Sequence, residues 1–373
     1  MRKIIFGITG LTLGGAERVL VDIANELSEE FDVTIFTLYG KGEFEKELSS
    51  KVKLVNMIDK SYAELTSKER LKVSLKLLFN KKSIYKKYIN NEFDTEIAFL
   101  EGPITRLFSF KNGKNTKNIS NPKKIAWVHN DIGQVFGKSL KAKIKKKLDR
   151  RCYLQYDDIV FVSNDNLEQF EEVYNLNKNK MVIPNYISSK RVLEKSEANF
   201  GNVFSKEEIN FLTVARLTDQ KAIDRLIKVH SELMYDGHNH KFFVIGDGPE
   251  KENLKDLIEQ LNVKDSFILL GKKENPYPYI KNCDVFALLS YYEGLPMTVL
   301  EARILEKPIL ITDTAAREAV VGYDKSYITE NSENGIYVGI KDCIKMFPEW
   351  KNTPNQKYTE NYEIIKQIEK LVK

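Results

Sequence analysis

The sequence predicts an α/β protein made of two doubly wound halves, each a mainly parallel sheet covered by helices on both faces. Three observations lead there. Apolar runs of strand length alternate with longer helical patterns along nearly all of the 373 residues, which is the rhythm of βαβ units. The rhythm is interrupted over residues 188–208, a polar Lys/Glu/Ser/Asn-rich passage read as a linker, and then restarts. The loops that follow the strand-like runs carry the glycines and charges, where ligands of open parallel sheets bind.

The elements follow in order. Ile4–Ile8 reads as a strand and precedes a helical pattern over Glu17–Leu27. Val33–Leu38 and Val52–Val55 are the next strands, and a long helical stretch covers about Ser67 to Asn90. Glu96–Leu100, Ile125–Val128, Ile159–Val162 and the short Met181–Ile183 complete the first set. After the linker come Ile209–Val214, Phe242–Ile245, Phe267–Leu270, Val285–Leu289 and Pro308–Ile311, with helical segments between them. The expected domains are therefore 1–187 and 209–350, followed by a terminal helical segment, 351–373. Two such halves facing each other would enclose a deep cleft.

Composition narrows the classes. With 42% hydrophobic and 30% charged residues the chain reads as a globular protein. No run approaches the ~20 apolar residues of a membrane span, and Met1–Phe6 is expected to lead into a strand rather than form a signal peptide. Cys152, Cys283 and Cys343 are odd in number and lack metal spacing, which points to reduced thiols in a cytoplasmic setting. The 58 basic and 53 acidic residues give +5. Residues 1–185 hold 32 against 24 (+8) and the rest 26 against 29 (−3). Within 51–150 the count is 24 against 9, or +15. One face of the first half is expected to be strongly cationic.

Five loops hold the candidate chemistry. Gly14 and Gly15 lie between the first strand and helix; adjacent glycines let backbone approach a ligand and expose helix N–H groups, or simply make a tight turn. His129 follows Ile125–Val128 and is either a hydrogen-bonding group for a ligand or a structural histidine. Arg216 ends the first strand of the second half, and Lys221 is read as opening its helix. Two cations there suit a diphosphate leaving group, against the alternative of two solvated surface charges. Gly246-Asp247-Gly248-Pro249 is read mainly as turn chemistry. Glu293 and Glu301 lie eight residues apart, one in a Gly/Pro loop and one two turns into the following helix. Two acceptor-only groups around a helix N-terminus suit a polyhydroxylated ligand carrying phosphate. No Asp-x-Asp and no His/Cys/carboxylate cluster at ligand spacing occurs, so a metal is not expected.

Gly14-Gly15-Ala16-Glu17-Arg18, His129, Pro184-Asn185, Arg216 with Lys221, Gly246-Asp247-Gly248 and Glu293-x7-Glu301, taken together and in this order, resemble the GT4 family of retaining glycosyltransferases with the GT-B fold. The resemblance implies a metal-independent, hexosyltransferase-type enzyme that moves a sugar from a nucleotide diphosphate to an acceptor with retained configuration. By family frequency the nucleotide is UDP. It further implies that Glu301 binds the ribose, and that Arg216 and Lys221 hold the diphosphate. Glu293 and the N–H groups of Gly294, Leu295 and Met297 would bind the sugar. Gly15 would approach the phosphate or the acceptor, and His129 would contact the sugar near the reacting carbon. The leaving phosphate would take the acceptor's proton, so no residue is a covalent nucleophile. The terminal helix, about 357–373, would return to the first domain. The chain departs from the family where relatives carry Gly-Gly and it has Thr314-Ala315-Ala316, and in a compressed Asn334–Val338 segment.

A bacterial enzyme of this kind would build a capsule, lipopolysaccharide or other cell-surface glycan on a glycan or polyprenyl-linked acceptor. Lys141, Lys145, Lys146 and Lys147 border an apolar spacing of Leu140, Ile144 and Leu148, and Leu71–Phe79 with Lys81, Lys82, Lys86 and Lys87 is similar. These helices either rest on an anionic membrane at the inner face of the cell or pack on the sheet with their lysines solvated. Two other classes are weighed. A sugar-nucleotide epimerase would bind donor without acceptor. A nucleic-acid binder would use the basic region, but no recognised module supports it, so nucleic acid is not an expected partner.

Overall fold

A computed structural model describes residues 1–89, 92–110, 122–129, 140–201 and 203–373, apart from the side chains of 140–144 and 360. The chain divides into two compact units: Met1–Tyr186 with Tyr362–Lys373, and Ile187–Asn361. The protein has two parallel-sheet α/β domains.

In the first unit the strands are β1 (Lys3–Ile8), β2 (Asp32–Thr37), β3 (Lys53–Asn56), β4 (Thr95–Ala98), β5 (Lys123–Val128), β6 (Asp158–Phe161) and β7 (Asn179–Val182). They pair in parallel in the order β3-β2-β1-β4-β5-β6-β7. Ile4, Ile5 and Phe6 of β1 are completely buried, because helices cover both faces and every side chain of a central strand meets a core. One polar cluster interrupts this. Glu96 and Lys124 are register partners on β4 and β5, and the Lys124 ammonium lies 2.5 Å from the Glu96 carboxylate. Tyr85 also donates to Glu96 at 2.6 Å, and Lys124 donates to the Phe108 carbonyl at 2.8 Å.

The second unit has β8 (Ile209–Val214), β9 (His240–Ile245), β10 (Phe267–Gly271), β11 (Val285–Leu288), β12 (Ile309–Thr312) and β13 (Ser326–Thr329), in the order β10-β9-β8-β11-β12-β13. All pairings are parallel. Strand β13 was not expected. It is a four-residue edge strand whose only sequence mark is Tyr327-Ile328-Thr329.

Several expectations need correction. The stretch 67–90 is not one helix: Ser67–Phe79 ends at Asn80, whose backbone (φ −115°, ψ 22°) leaves the helical region, and Lys81–Tyr88 starts anew. Lys221 does not open a helix. It ends a 3₁₀ turn, Asp219–Lys221, and left-handed Ala222 (φ 50°) precedes helix Ile223–Tyr235. The passage 188–208 is not all linker. Ser188 caps helix Ser189–Ser196, which buries Val192 in the second core. Helix Leu140–Tyr153 does form, but Leu148 is exposed, and the side chains of Leu140, Lys141 and Ile144 lie outside the described residues.

The terminal helix, Glu360–Val372, buries Ile364, Ile365, Ile368, Leu371 and Val372. Its last carbonyls, unpaired within any helix, accept from the first sheet: Leu371 from Lys123 Nζ at 2.7 Å and Val372 from Thr95 Oγ1 at 3.1 Å.

Candidate functional site

In the second unit the strand order reverses between β8 and β11. In open parallel sheets the carboxyl edge at such a reversal is where ligands bind. The β8 loop carries Arg216 and Lys221, and the β11 loop carries Ser290 to Pro296. The two are joined backbone to backbone and side chain to backbone. Tyr291 N–H donates to the Gln220 carbonyl at 3.0 Å, and Gln220 Nε2 donates to the Tyr292 carbonyl at 2.9 Å. Across this seam Lys221 Nζ lies 2.5 Å from Glu293 Oε1, which also accepts from Ser290 Oγ at 2.5 Å. Ser290 is fixed in turn by Thr312 Oγ1, which donates to its carbonyl at 2.8 Å. The Glu293 side chain is 7% exposed and that of Lys221 15%, so the pair is largely screened from water. Arg216 is exposed and has no ion-pair partner among the described residues.

Helix Met297–Ile304 begins at Pro296 without a side-chain cap. Among the described residues the N–H groups of Gly294, Leu295, Met297 and Thr298 have no hydrogen-bond partner. A Cβ on Gly294 would meet nothing within 4 Å, so its backbone faces open space. The side chains of Leu295 and Met297 turn the other way and pack on the core. Four N–H donors, an exposed guanidinium and a fixed ammonium thus gather at one sheet edge, an arrangement suited to anionic oxygen.

Glu301 lies on the same helix and is buried. Tyr277 Oη donates to its Oε1 at 2.9 Å, and Arg191 donates to Tyr277 Oη at 2.5 Å. Burial, with the Glu301 charge beside it, raises the Tyr277 phenol well above its ordinary pKa. It stays protonated and can only donate to the carboxylate. Neither Tyr277 nor Arg191 was legible from the sequence, since one sits in a Pro-Tyr-Pro-Tyr run and the other in the presumed linker.

Gly246 and Gly248 after β9 are structural. A Cβ on Gly246 would lie 1.8 Å from the Ala215 carbonyl oxygen, and one on Gly248 2.2 Å from that of Leu217. Only glycines let the β9 loop support the loop that carries Arg216.

In the first unit the order reverses between β1 and β4. Gly15 opens helix Gly15–Leu27 after β1 and is exposed. Glu101, just beyond β4, accepts from His129 N–H at 2.6 Å. The His129 ring packs 4.6 Å from Phe99, and its Nε2 is shielded from solvent with no partner among the described residues. Burial lowers its pKa to about 3, so the ring is neutral at ordinary pH. Lys145 and Lys147 are exposed and Lys146 half-buried on helix Leu140–Tyr153. Among the described residues no group of three or more His, Cys, Asp or Glu could hold a metal ion, and no helix is long and apolar enough to cross a membrane.

Two family descriptions match consecutive parts of the chain: Glycosyltransferase Family 4 over residues 13–191 and Glycosyl transferases group 1 over residues 194–346. The chain belongs to the family 4 glycosyltransferases. The enzyme is 26% identical over 354 residues, 92% of its length and 91% of the other's, to N-acetylgalactosamine-N,N'-diacetylbacillosaminyl-diphospho-undecaprenol 4-alpha-N-acetylgalactosaminyltransferase of Campylobacter jejuni. It is 33% identical over 207 residues to an uncharacterised glycosyltransferase of Methanocaldococcus jannaschii, of which it spans only 50%. Among solved structures it is similar to HepE of Anabaena in complex with UDP (TM-score 0.73, 14% identity, 100% and 99% of the two chains). WaaG, a glycosyltransferase involved in lipopolysaccharide biosynthesis, gives a TM-score of 0.71 at 14% identity over 99% of each chain. At such identities the likeness is one of fold, and that fold is GT-B.

Proposed function

We propose that this glycosyltransferase moves a sugar from a nucleotide diphosphate, with UDP as the nucleotide, to a glycan or lipid-linked acceptor in cell-surface polysaccharide synthesis. It does so at the inner face of the membrane, with retained anomeric configuration and without a metal. The observation that carries the reading is the Lys221–Glu293 pair bridging the reversal point of the second sheet, beside exposed Arg216. HepE, solved with UDP and with UDP-glucose, supports the nucleotide. The Campylobacter relative, whose name contains a diphospho-undecaprenol glycan, supports the acceptor class.

In this reading Arg216 and Lys221 neutralise the diphosphate as the bond from the anomeric carbon to its oxygen breaks. The N–H groups of Gly294, Leu295 and Met297, with Glu293, orient the sugar, and Glu301 takes the ribose hydroxyls. The acceptor oxygen bonds to the anomeric carbon on the face the nucleotide leaves, and its proton goes to the departing phosphate. His129, neutral, serves as a hydrogen-bonding group toward the sugar rather than as a charge. The first experiment is nucleotide release from UDP-, GDP- and dTDP-sugars, with wild type and Glu301→Ala in parallel and with chelator present. Turnover of one donor, reduced about tenfold to a hundredfold in the variant, is the expected result. If no donor is turned over and none is bound, the proposal is sunk.

A further inference from the structure

Helix Ser67–Phe79 in the first unit has two apolar faces and only one of them meets the core. At about 100° per residue, Val73 and Leu77 share a side, and both pack on the first sheet's core. Leu71, Leu75, Leu78 and Phe79, spaced i, i+4, i+7, i+8, share the opposite side. They are 62%, 45%, 70% and 80% exposed. Single exposed leucines are ordinary, whereas four large apolar side chains in one row make a patch that needs an occupant.

The surroundings say which occupant. Lys68, Lys72 and Lys76 run along one flank of the row and are exposed, as are Lys82, Lys86 and Lys87 on the next helix. The two helices carry eight basic residues and one acid, Glu69, and Glu69 is already held by Lys60 at 3.0 Å. Beyond these lysines, on the side away from the row, lies a groove of about 480 Å³ lined by Met57, Leu65 and Val73, with Lys60, Lys72 and Lys76 and the carboxylates of Asp59 and Glu69 at its walls. An apolar row for a hydrocarbon layer, bordered by cations at headgroup height, is the arrangement of an interfacial helix. Helix Leu140–Tyr153 presents lysines but, among its described side chains, only Leu148 and Leu154 just beyond it as exposed apolar groups.

We propose that helix Ser67–Phe79 docks the enzyme on an anionic lipid bilayer, with the Leu71–Leu75–Leu78–Phe79 row in the acyl region and the lysines on headgroup phosphates. This deepens the reading of a lipid-linked acceptor by naming the surface that meets the membrane. Vesicle binding is read without sugar transfer, so the two can fail separately.

The test is co-sedimentation of the full chain with phosphatidylcholine vesicles, with and without phosphatidylglycerol, at low and high salt. Leu78→Ser/Phe79→Ser, Lys72→Ser/Lys76→Ser and Lys145→Ser/Lys146→Ser are compared with wild type, after circular dichroism confirms that each is folded. Wild type is expected to bind the anionic vesicles in a salt-sensitive way. Leu78→Ser/Phe79→Ser should weaken that binding about tenfold or more, and Lys72→Ser/Lys76→Ser should weaken it and flatten its salt dependence. The proposal is overturned if wild type ignores anionic vesicles at low salt, or if Leu78→Ser/Phe79→Ser binds as wild type does. Loss of binding only in Lys145→Ser/Lys146→Ser would overturn it in favour of the other helix. A homodimer that Leu78→Ser/Phe79→Ser dissolves, with no vesicle binding, would assign the row to a second copy.

Discussion

Lys221 and Glu293 hold each other in a setting where neither can readily be left alone. Replacing Lys221 with Met leaves the Glu293 carboxylate with Ser290 but no cation, a loss of about 1–3 kcal/mol for a largely buried charge. If Lys221 also neutralises the leaving diphosphate, Lys221→Met should lower the melting temperature by a few degrees and cut turnover about a hundredfold or more. Thermal melts and initial rates on the same preparation separate the two, and full activity in a folded variant would remove Lys221 from the mechanism. Tyr277 acts one step away, through Glu301. Tyr277→Phe removes one donor from that carboxylate, so the donor KM should rise about three- to tenfold while kcat changes little. An equal fall in kcat would instead put Tyr277 in the chemical step. The five strand-end loops were legible because glycines and lone charges stand out after apolar runs. The partners that orient those charges were not, because Tyr277 reaches Glu301, and Arg191 reaches Tyr277, from helices with no local mark of that duty.

Strands β4 and β5 share a fully buried ion pair, Lys124 with Glu96. Removing one member strands the other, so Lys124→Met should cost about 3–5 kcal/mol, and Lys124→Met with Glu96→Leu should recover much of that loss. Urea midpoints of the single and double variants would decide, and equal midpoints would contradict the account. The loops after β8 and β9 give a second test. Gly246→Ala places a methyl group inside contact distance of the Ala215 carbonyl, so the variant should lose at least about 2 kcal/mol through backbone displacement and loosen the support of Arg216. Twelve strands could be read from apolar periodicity, since central parallel strands are buried on both faces. Edge strand β13 could not, being short and half-covered. The break at Asn80 and the 3₁₀ turn before Ala222 also escaped, because such ends are decided by backbone angles that polar residues tolerate either way.

Both units lose stability in acid, but the second loses more, because it holds a buried histidine pair where the first holds His129 alone. His240 Nδ1 lies 2.7 Å from the His238 carbonyl, His240 Nε2 2.9 Å from His230 Nδ1, and His230 Nε2 2.8 Å from Ser266 Oγ. The carbonyl fixes the order of protons: His240 donates to it, His230 donates to His240, and Ser266 donates to His230. Both rings are neutral, held to about 3 at His230 and about 4 at His240, primarily by burial. The unfolded chain protonates them below about pH 6.5. Their contribution is complete above that pH and is lost as pH falls toward 4, at about 2 kcal/mol per histidine between pH 6.5 and 5. Calorimetry over that range should show the second unit's melting temperature falling by several degrees; an unchanged value would refute the assignment. The first unit raises a different matter, one of manufacture. Its sheet is completed by helix Glu360–Val372, yet all 175 residues from Ile187 to Asn361 intervene. A ribosome adding about 5–20 residues per second needs roughly 10–35 seconds to cross them. Through that interval the nascent first domain waits with Thr95 and Lys123 lacking their carbonyl acceptors, while the domain begun later is finished first.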